Sequence, residues 1–120
     1  MSGDAYVACD GDGHIAAYAY ITAQPEPAYD SPDVHWHYNG PYMVIHRLAV
    51  SALSRGCGLG RMMLLHAEKV CCDHGIGCIK VDTNHDNAEM LHLLDSLGYA
   101  RHGNVSYGPR GERIAFEKTL

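Results

Sequence analysis

Residues 55–61 read Arg-Gly-Cys-Gly-Leu-Gly-Arg, with glycines at 56, 58 and 60. The chemistry open to such a run is anion binding. The first N–H groups of a helix have no internal partner, and the helix dipole makes that end partly positive. Glycine removes the side chains that would hold an anion away and permits positive φ. Ahead of the run, residues 42–50 (Tyr-Met-Val-Ile-His-Arg-Leu-Ala-Val) have the composition of a buried central strand. Behind it, Leu59, Met62 or Met63, His66 or Ala67, and Val70 recur at a helical period. Strand, glycine turn and helix start together describe a phosphate or pyrophosphate cradle. Each N–H given to a charged oxygen there is worth roughly 1.5–3 kcal/mol. No Gly-Lys-Ser or Gly-Lys-Thr follows, which excludes a Walker loop. The Gly-x-Gly-x-Gly spacing also differs from the Gly-x-Gly-x-x-Gly of a dinucleotide fold.

The elements that must position this run follow from pattern. Residues 5–9 and 14–23 alternate as two strands around an Asp-Gly turn at 10–13. Residues 24–41 carry four prolines and little periodicity, which predicts a long loop. It is either a connector covering the sheet edge or a wall of a binding pocket built by Tyr29, His35, Trp36, His37 and Tyr38. A helix is predicted over 60–73, closed by His74-Gly75. Residues 78–83 form the next strand, parallel to 42–50 if the crossover is right-handed. A second helix spans 88–97 with Met90, Leu91, Leu94 and Leu97 as its apolar stripe, and residues 100–106 and 112–119 form a closing hairpin. By strand alternation Arg47 faces away from His46.

At 120 residues the chain makes one domain, divided into a hairpin and loop (1–41), a strand-turn-helix-strand (42–83) and a helix with hairpin (84–120). A net charge of −5 excludes the usual nucleic-acid binder. No apolar run reaches the roughly 20 residues of a membrane span, and residues 1–13 lack the basic and apolar regions of a signal peptide. Five cysteines, two of them adjacent and none in a CxxC pair, point to a reducing cytoplasm. His35 and His37 have no second ligand pair near them in sequence, so no metal is expected.

Arg55, Gly58 and Gly60 in Arg-x-x-Gly-x-Gly, preceded by Leu48-Ala49-Val50, resemble the acetyl-CoA signature of the GNAT superfamily of N-acetyltransferases. The later stretch VDTNHDNAEMLHLLDSLGYARHGNV resembles the same family's second half, with Asn84-x-x-Asn87, a helix, then Leu97-Gly98-Tyr99. The resemblance implies an α/β fold: a mixed, mostly antiparallel sheet whose central parallel pair splays to hold coenzyme A, flanked by helices. It implies an acetyl-CoA-dependent N-acetyltransferase acting by direct transfer to a primary amine, small-molecule or peptide. Coenzyme A would contact Leu48, Ala49, Val50, Arg55, Gly56, Cys57, Gly58, Leu59, Gly60, Arg61, Asn84 and Asn87. The Leu48 N–H would face the thioester oxygen, and His46 is either the proton acceptor, directly or through water, or a hydrogen-bonded core histidine. An imidazole titrates near neutral pH and suits the first role. The family's tyrosine acid, seven residues after the second asparagine, is replaced here by Leu94, leaving Tyr107, His92 or solvent as donors. The family's usual first strand and helices are not seen ahead of residue 5, so the chain is expected to be either a minimal or truncated member or a homodimer whose second subunit supplies the missing wall. Two rival readings are a catalytically silent acyl-CoA-binding module and a purely structural dimerisation domain.

Overall fold

A computed structural model describes residues 3–54, 56 and 58–120. Strand β1 (Asp4–Cys9) turns into β2 (Ile15–Thr22) where Asp10 Oδ1 accepts the N–H groups of Asp12 and His14 at 2.9 and 3.0 Å. Strand β3 (Met43–Val50), helix α1 (Leu59–Asp73), strand β4 (Cys78–Thr83), helix α2 (Ala88–Ser96), and strands β5 (Ala100–Ser106) and β6 (Glu112–Thr119) follow. The six strands lie in the order β1-β2-β3-β4-β6-β5. Only β3 and β4 run parallel, so the sheet is mixed and mostly antiparallel, as the resemblance implied.

Both helices cover one face. Met63, Leu64, Ala67, Val70 and Cys71 of α1 and Leu94 of α2 are buried against Met43, Ile45, Ile79, Val81 and Phe116 of the strands. Tyr99, in the Gly-aromatic position, is core as well, and its hydroxyl donates to Glu68 at 3.1 Å. The apolar stripes found by sequence period are the stripes that pack, because three- and four-residue spacing keeps side chains on one side of a helix.

The chain between β2 and β3 covers the sheet edge, as expected, since Val34 bridges Gly103 of the outermost strand β5 and the His35 N–H bonds the His102 carbonyl at 2.8 Å, and it covers the opposite face as well. Tyr29, in a 3-10 turn (Pro27–Asp30), packs with Val34, Val44, Val105 and Ala115, flanked by Trp36 and Tyr42. A buried carboxylate ties the segment down. Glu117 accepts the N–H groups of His37 and Tyr38 at 3.2 and 3.3 Å, and pairs with His102 Nε2 at 3.2 Å and Lys80 Nζ at 3.7 Å. The side chains of Lys80 and Glu117 are 5% and 3% exposed, so losing one partner would strand a charge at a cost of about 3–5 kcal/mol. The lysine also sits over the rings of Tyr42 and Trp36, 4.0 and 4.4 Å from their centroids. The face left without helices is therefore covered by this chain's own loop. Among the described residues, no helix is long and apolar enough to cross a membrane.

Strand β3 carries a one-residue bulge. Tyr20 pairs with His46 but Tyr18 pairs with Ala49, so β3 holds an extra residue. Arg47 has φ 57°, the one positive value at a non-glycine among the described residues. The extra residue reverses the alternation. Met43 and Ile45 face the helices, and beyond the bulge Leu48 and Val50 face them too.

Candidate active site

The parallel ladder pairs Met43 with Ile79, Val44 with Lys80 and Ile45 with Val81, then stops, although both strands continue. The strands separate there and two clefts open. One, of about 850 Å³, is lined by His46, Arg47 and Leu48 of β3, Asp82 and Thr83 of β4, Asn84, Glu26, Tyr107, Arg110 and Arg113. The other, of about 930 Å³, runs from Leu48, Ala49 and Val50 past Gly56, Gly58, Gly60 and Arg61 to Asn87 and Leu93. They meet at Leu48, Asn87 and Met90, which line both.

The second cleft is lined by backbone groups that no strand or side chain has taken up among the described residues. The Ser51 N–H bonds the Ala16 carbonyl at 2.8 Å. By the alternation of an antiparallel ladder, Ala49 also turns its backbone to β2 while Leu48 and Val50 turn theirs toward β4, where pairing has ended. An extended ligand could complete that edge. At the start of α1, Gly58 is the N-cap at φ 76°, ψ 15°, makes no side-chain cap, and no acidic residue stands in the first turn. A Cβ on Gly56 or Gly58 would meet nothing within 4 Å, so both face open space. The helix start thus offers backbone donors to an anion with no side-chain cap competing among the described residues.

In the first cleft, Asp82 gathers three partners. The hydroxyls of Tyr29 and Tyr107 both donate to its Oδ2, at 2.8 and 2.6 Å. Arg113 Nε lies 2.6 Å from Oδ1, yet too obliquely to hydrogen-bond, so that contact is ionic. Burial first, and then the Asp82 carboxylate, push both phenols well above the ordinary tyrosine range. Their protons are committed to Asp82.

The model of the acetyltransferase (GNAT) family matches residues 2–99. The chain belongs to this family. It is 34% identical over 64 residues to mycothiol acetyltransferase of Rhodococcus opacus (strain B4), covering 52% of this chain and 21% of that protein. The chain spans about a fifth of the length of that curated relative. Among solved structures, a GNAT family acetyltransferase from Streptococcus agalactiae 2603 superposes with TM-score 0.78 at 32% identity, over 97% of this chain and 65% of that one. An IAA acetyltransferase from Bacillus cereus ATCC 14579 has TM-score 0.78 at 20% identity, over 98% and 78%, and supports the fold alone.

Within this GNAT fold, His46 lies half-buried in the first cleft, its ring 6.3 Å from that of Tyr20. Leu48 stands where the clefts join. Gly56, Gly58, Leu59, Gly60 and Arg61 line the second cleft, whereas Arg55 and Cys57 lie outside the described residues. Asn84 lines the first cleft. Asn87 lines both and is also the N-cap of α2, its side-chain oxygen accepting the Met90 N–H at 3.2 Å. Its amide NH₂ has no partner among the described residues and is open to a ligand. Leu94 is fully buried in the core. His92 is exposed along the second cleft.

Two sequence expectations change. Arg47 does not face away from His46: the bulge brings both into the same cleft. Of the five loop residues proposed as a pocket wall, only Tyr29 reaches the cleft's edge, through Asp82; His37 packs tilted against His102 instead, 4.2 Å between ring centroids. Sequence reading missed Glu26, Asp82, Arg110 and Arg113. Asp82 carried one usable signal, a carboxylate at the end of an apolar parallel strand. The others had none, since they come from a loop and a hairpin that only folding brings to the cleft.

Proposed function

We propose that this chain transfers an acetyl group from acetyl-CoA to an amine seated in the 850 Å³ cleft. The observation that carries the reading is the meeting of two clefts at Leu48, where β3 has lost its parallel partner. Bound acetyl-CoA supplies the activated acetyl group, whose carbon exchanges its bond to sulfur for one to the acceptor nitrogen. The N–H groups at Gly58, Leu59, Gly60 and Arg61 hold the pyrophosphate. Leu48 and Val50 hold the pantetheine arm as a neighbouring strand would. The Leu48 N–H donates to the thioester oxygen as charge gathers there, a contribution of the oxyanion-hole kind. His46 takes the proton released by the amine, directly or through water. Asn87, with one side-chain hydrogen-bonding group already used in capping α2, steadies the arm through the other.

Tyr107 is a poor proton donor to the departing sulfur, because its hydrogen is shared with Asp82 and its phenol is pushed upward. Solvent is the remaining donor among those considered, together with the exposed His92. The burial of Leu94 supports the second reading, a silent acyl-CoA-binding module. Thiol release from acetyl-CoA with a panel of amines separates the two. Release above the amine-free rate supports transfer, while tight calorimetric binding of acetyl-CoA without release supports the silent module.

A further inference from the structure

We infer that the acceptor is an amine that also bears an anionic group, a carboxylate or a phosphate, bound by Arg47 and Arg110. The inference rests on the first cleft being the acceptor site. Three of the chain's six arginines, Arg47, Arg110 and Arg113, line that one cleft in a chain of net charge −5. Their circumstances differ. Arg113 is engaged by Asp82 Oδ1 at 2.6 Å. Arg110 lies over the Tyr107 ring, 5.4 Å from its centroid, and has no carboxylate partner among the described residues. Arg47 has neither an ion pair nor a ring partner among them. Two guanidinium groups therefore line the cleft outside any ion pair among the described residues, against one free carboxylate, Glu26.

Arg47 is also held at a cost. It occupies the left-handed region at φ 57° inside a strand, a conformation that side chains rarely adopt. That strain makes the bulge, and the bulge keeps Arg47 in the cleft beside His46 and Leu48. A planar guanidinium matches a carboxylate or phosphate with two parallel hydrogen bonds. A simple ammonium acceptor would instead meet two guanidinium groups against a single free carboxylate, Glu26, a net positive cleft among the described residues. An amine with its own anion satisfies both sides: the anion sits between Arg47 and Arg110, and the nitrogen turns toward His46 and Glu26. The cleft volume suits a small molecule of this kind.

The test uses the whole chain with acetyl-CoA and matched acceptors. The amino acids are each set against the amine lacking the carboxylate, and phosphoethanolamine against ethanolamine. Thiol release should give a kcat/KM at least tenfold higher for the anionic member of a pair, and which pair responds identifies carboxylate or phosphate. The double variant Arg47→Asn, Arg110→Gln should bring that ratio close to one, mainly through KM; asparagine tolerates the left-handed backbone, so the bulge is kept. Equal use of both members, or a preference untouched by the double variant, overturns the inference while leaving acetyl transfer standing. If acetyl-CoA binds but no acceptor turns over, calorimetric titration of the anionic amines into the loaded chain decides. Binding that the double variant abolishes supports the anion site although the transferase reading fails, and no binding overturns the inference.

Discussion

A Cβ on Gly60 would stand 3.1 Å from Leu93 Cδ2. Helix α1 thus approaches α2 through a glycine at the floor of the second cleft, and a larger residue would push Leu93 into the groove. Gly58 acts differently, since its φ of 76° is a backbone demand. Gly58→Val and Gly60→Val should each weaken acetyl-CoA binding by more than tenfold, about 1.4 kcal/mol. Gly60→Val should also lower the thermal midpoint. Unchanged calorimetric affinity in a folded variant would remove the cradle assignment.

His46 lines the first cleft one residue before the bulge. A general base is worth roughly 10²–10⁴ in rate. His46→Ala should lose turnover by that factor and keep its affinity for acetyl-CoA, which the backbone supplies. If the rate survives, Glu26→Gln becomes the decisive variant, because Glu26 is the carboxylate facing the same cleft and His37 lies on the covered face.

The phenols of Tyr29, Tyr99 and Tyr107 are raised, by burial first and then by a neighbouring carboxylate. A raised folded-state value means the neutral form is favoured in the fold. The stability is full below the ordinary tyrosine value of about 10 and is lost as pH rises above it. Thermal midpoints should therefore fall from pH 10 upward, and Tyr107→Phe should show a shallower fall. A parallel pH dependence in that variant would contradict the assignment.

Asp82, 8% exposed at its side chain, holds Tyr29, Tyr107 and Arg113 together. Asp82→Asn should cost about 1–3 kcal/mol, the range for a buried hydrogen-bonding group left poorly satisfied, read as a shift in the denaturant midpoint. Acceptor KM should rise with it, since Tyr107 and Arg113 line the cleft.

Burial pushes the Cys71 and Cys78 thiols up to about 12, while Cys9 and Cys72 are exposed. The thiolate is the reactive form. Iodoacetamide at pH 8 should label Cys9 and Cys72 in the native chain and reach Cys71 and Cys78 only after unfolding. Mass spectrometry of the peptides reports each site, and native labelling of Cys78 at the rate of Cys9 would contradict the burial.

The sequence by itself determined the elements and the glycine turn that opens α1. Period-two and period-3.6 patterns are local, and the glycines at 58 and 60 announce a helix start with no side chains in the way. Helix α1 begins at Leu59 and α2 ends at Ser96, each one residue from its expected end, because helix ends depend on caps more than on pattern. The first cleft was another matter. Its side chains come from the β2–β3 loop, the bulge, the end of β4 and the β5–β6 hairpin, separated by up to 87 residues from Glu26 to Arg113 and joined only by the sheet order. The bulge at Arg47 is a property of register between two strands, so no pattern within β3 could show that Arg47 enters the cleft or that Leu48 turns to the helices. The covering of the second face likewise depended on Glu117, a carboxylate that reads as surface in sequence and becomes the anchor of a loop nearly 80 residues earlier once β6 sets it beneath His37 and Tyr38. Local spacing fixes which residues share a face; only the assembled sheet decides what that face meets.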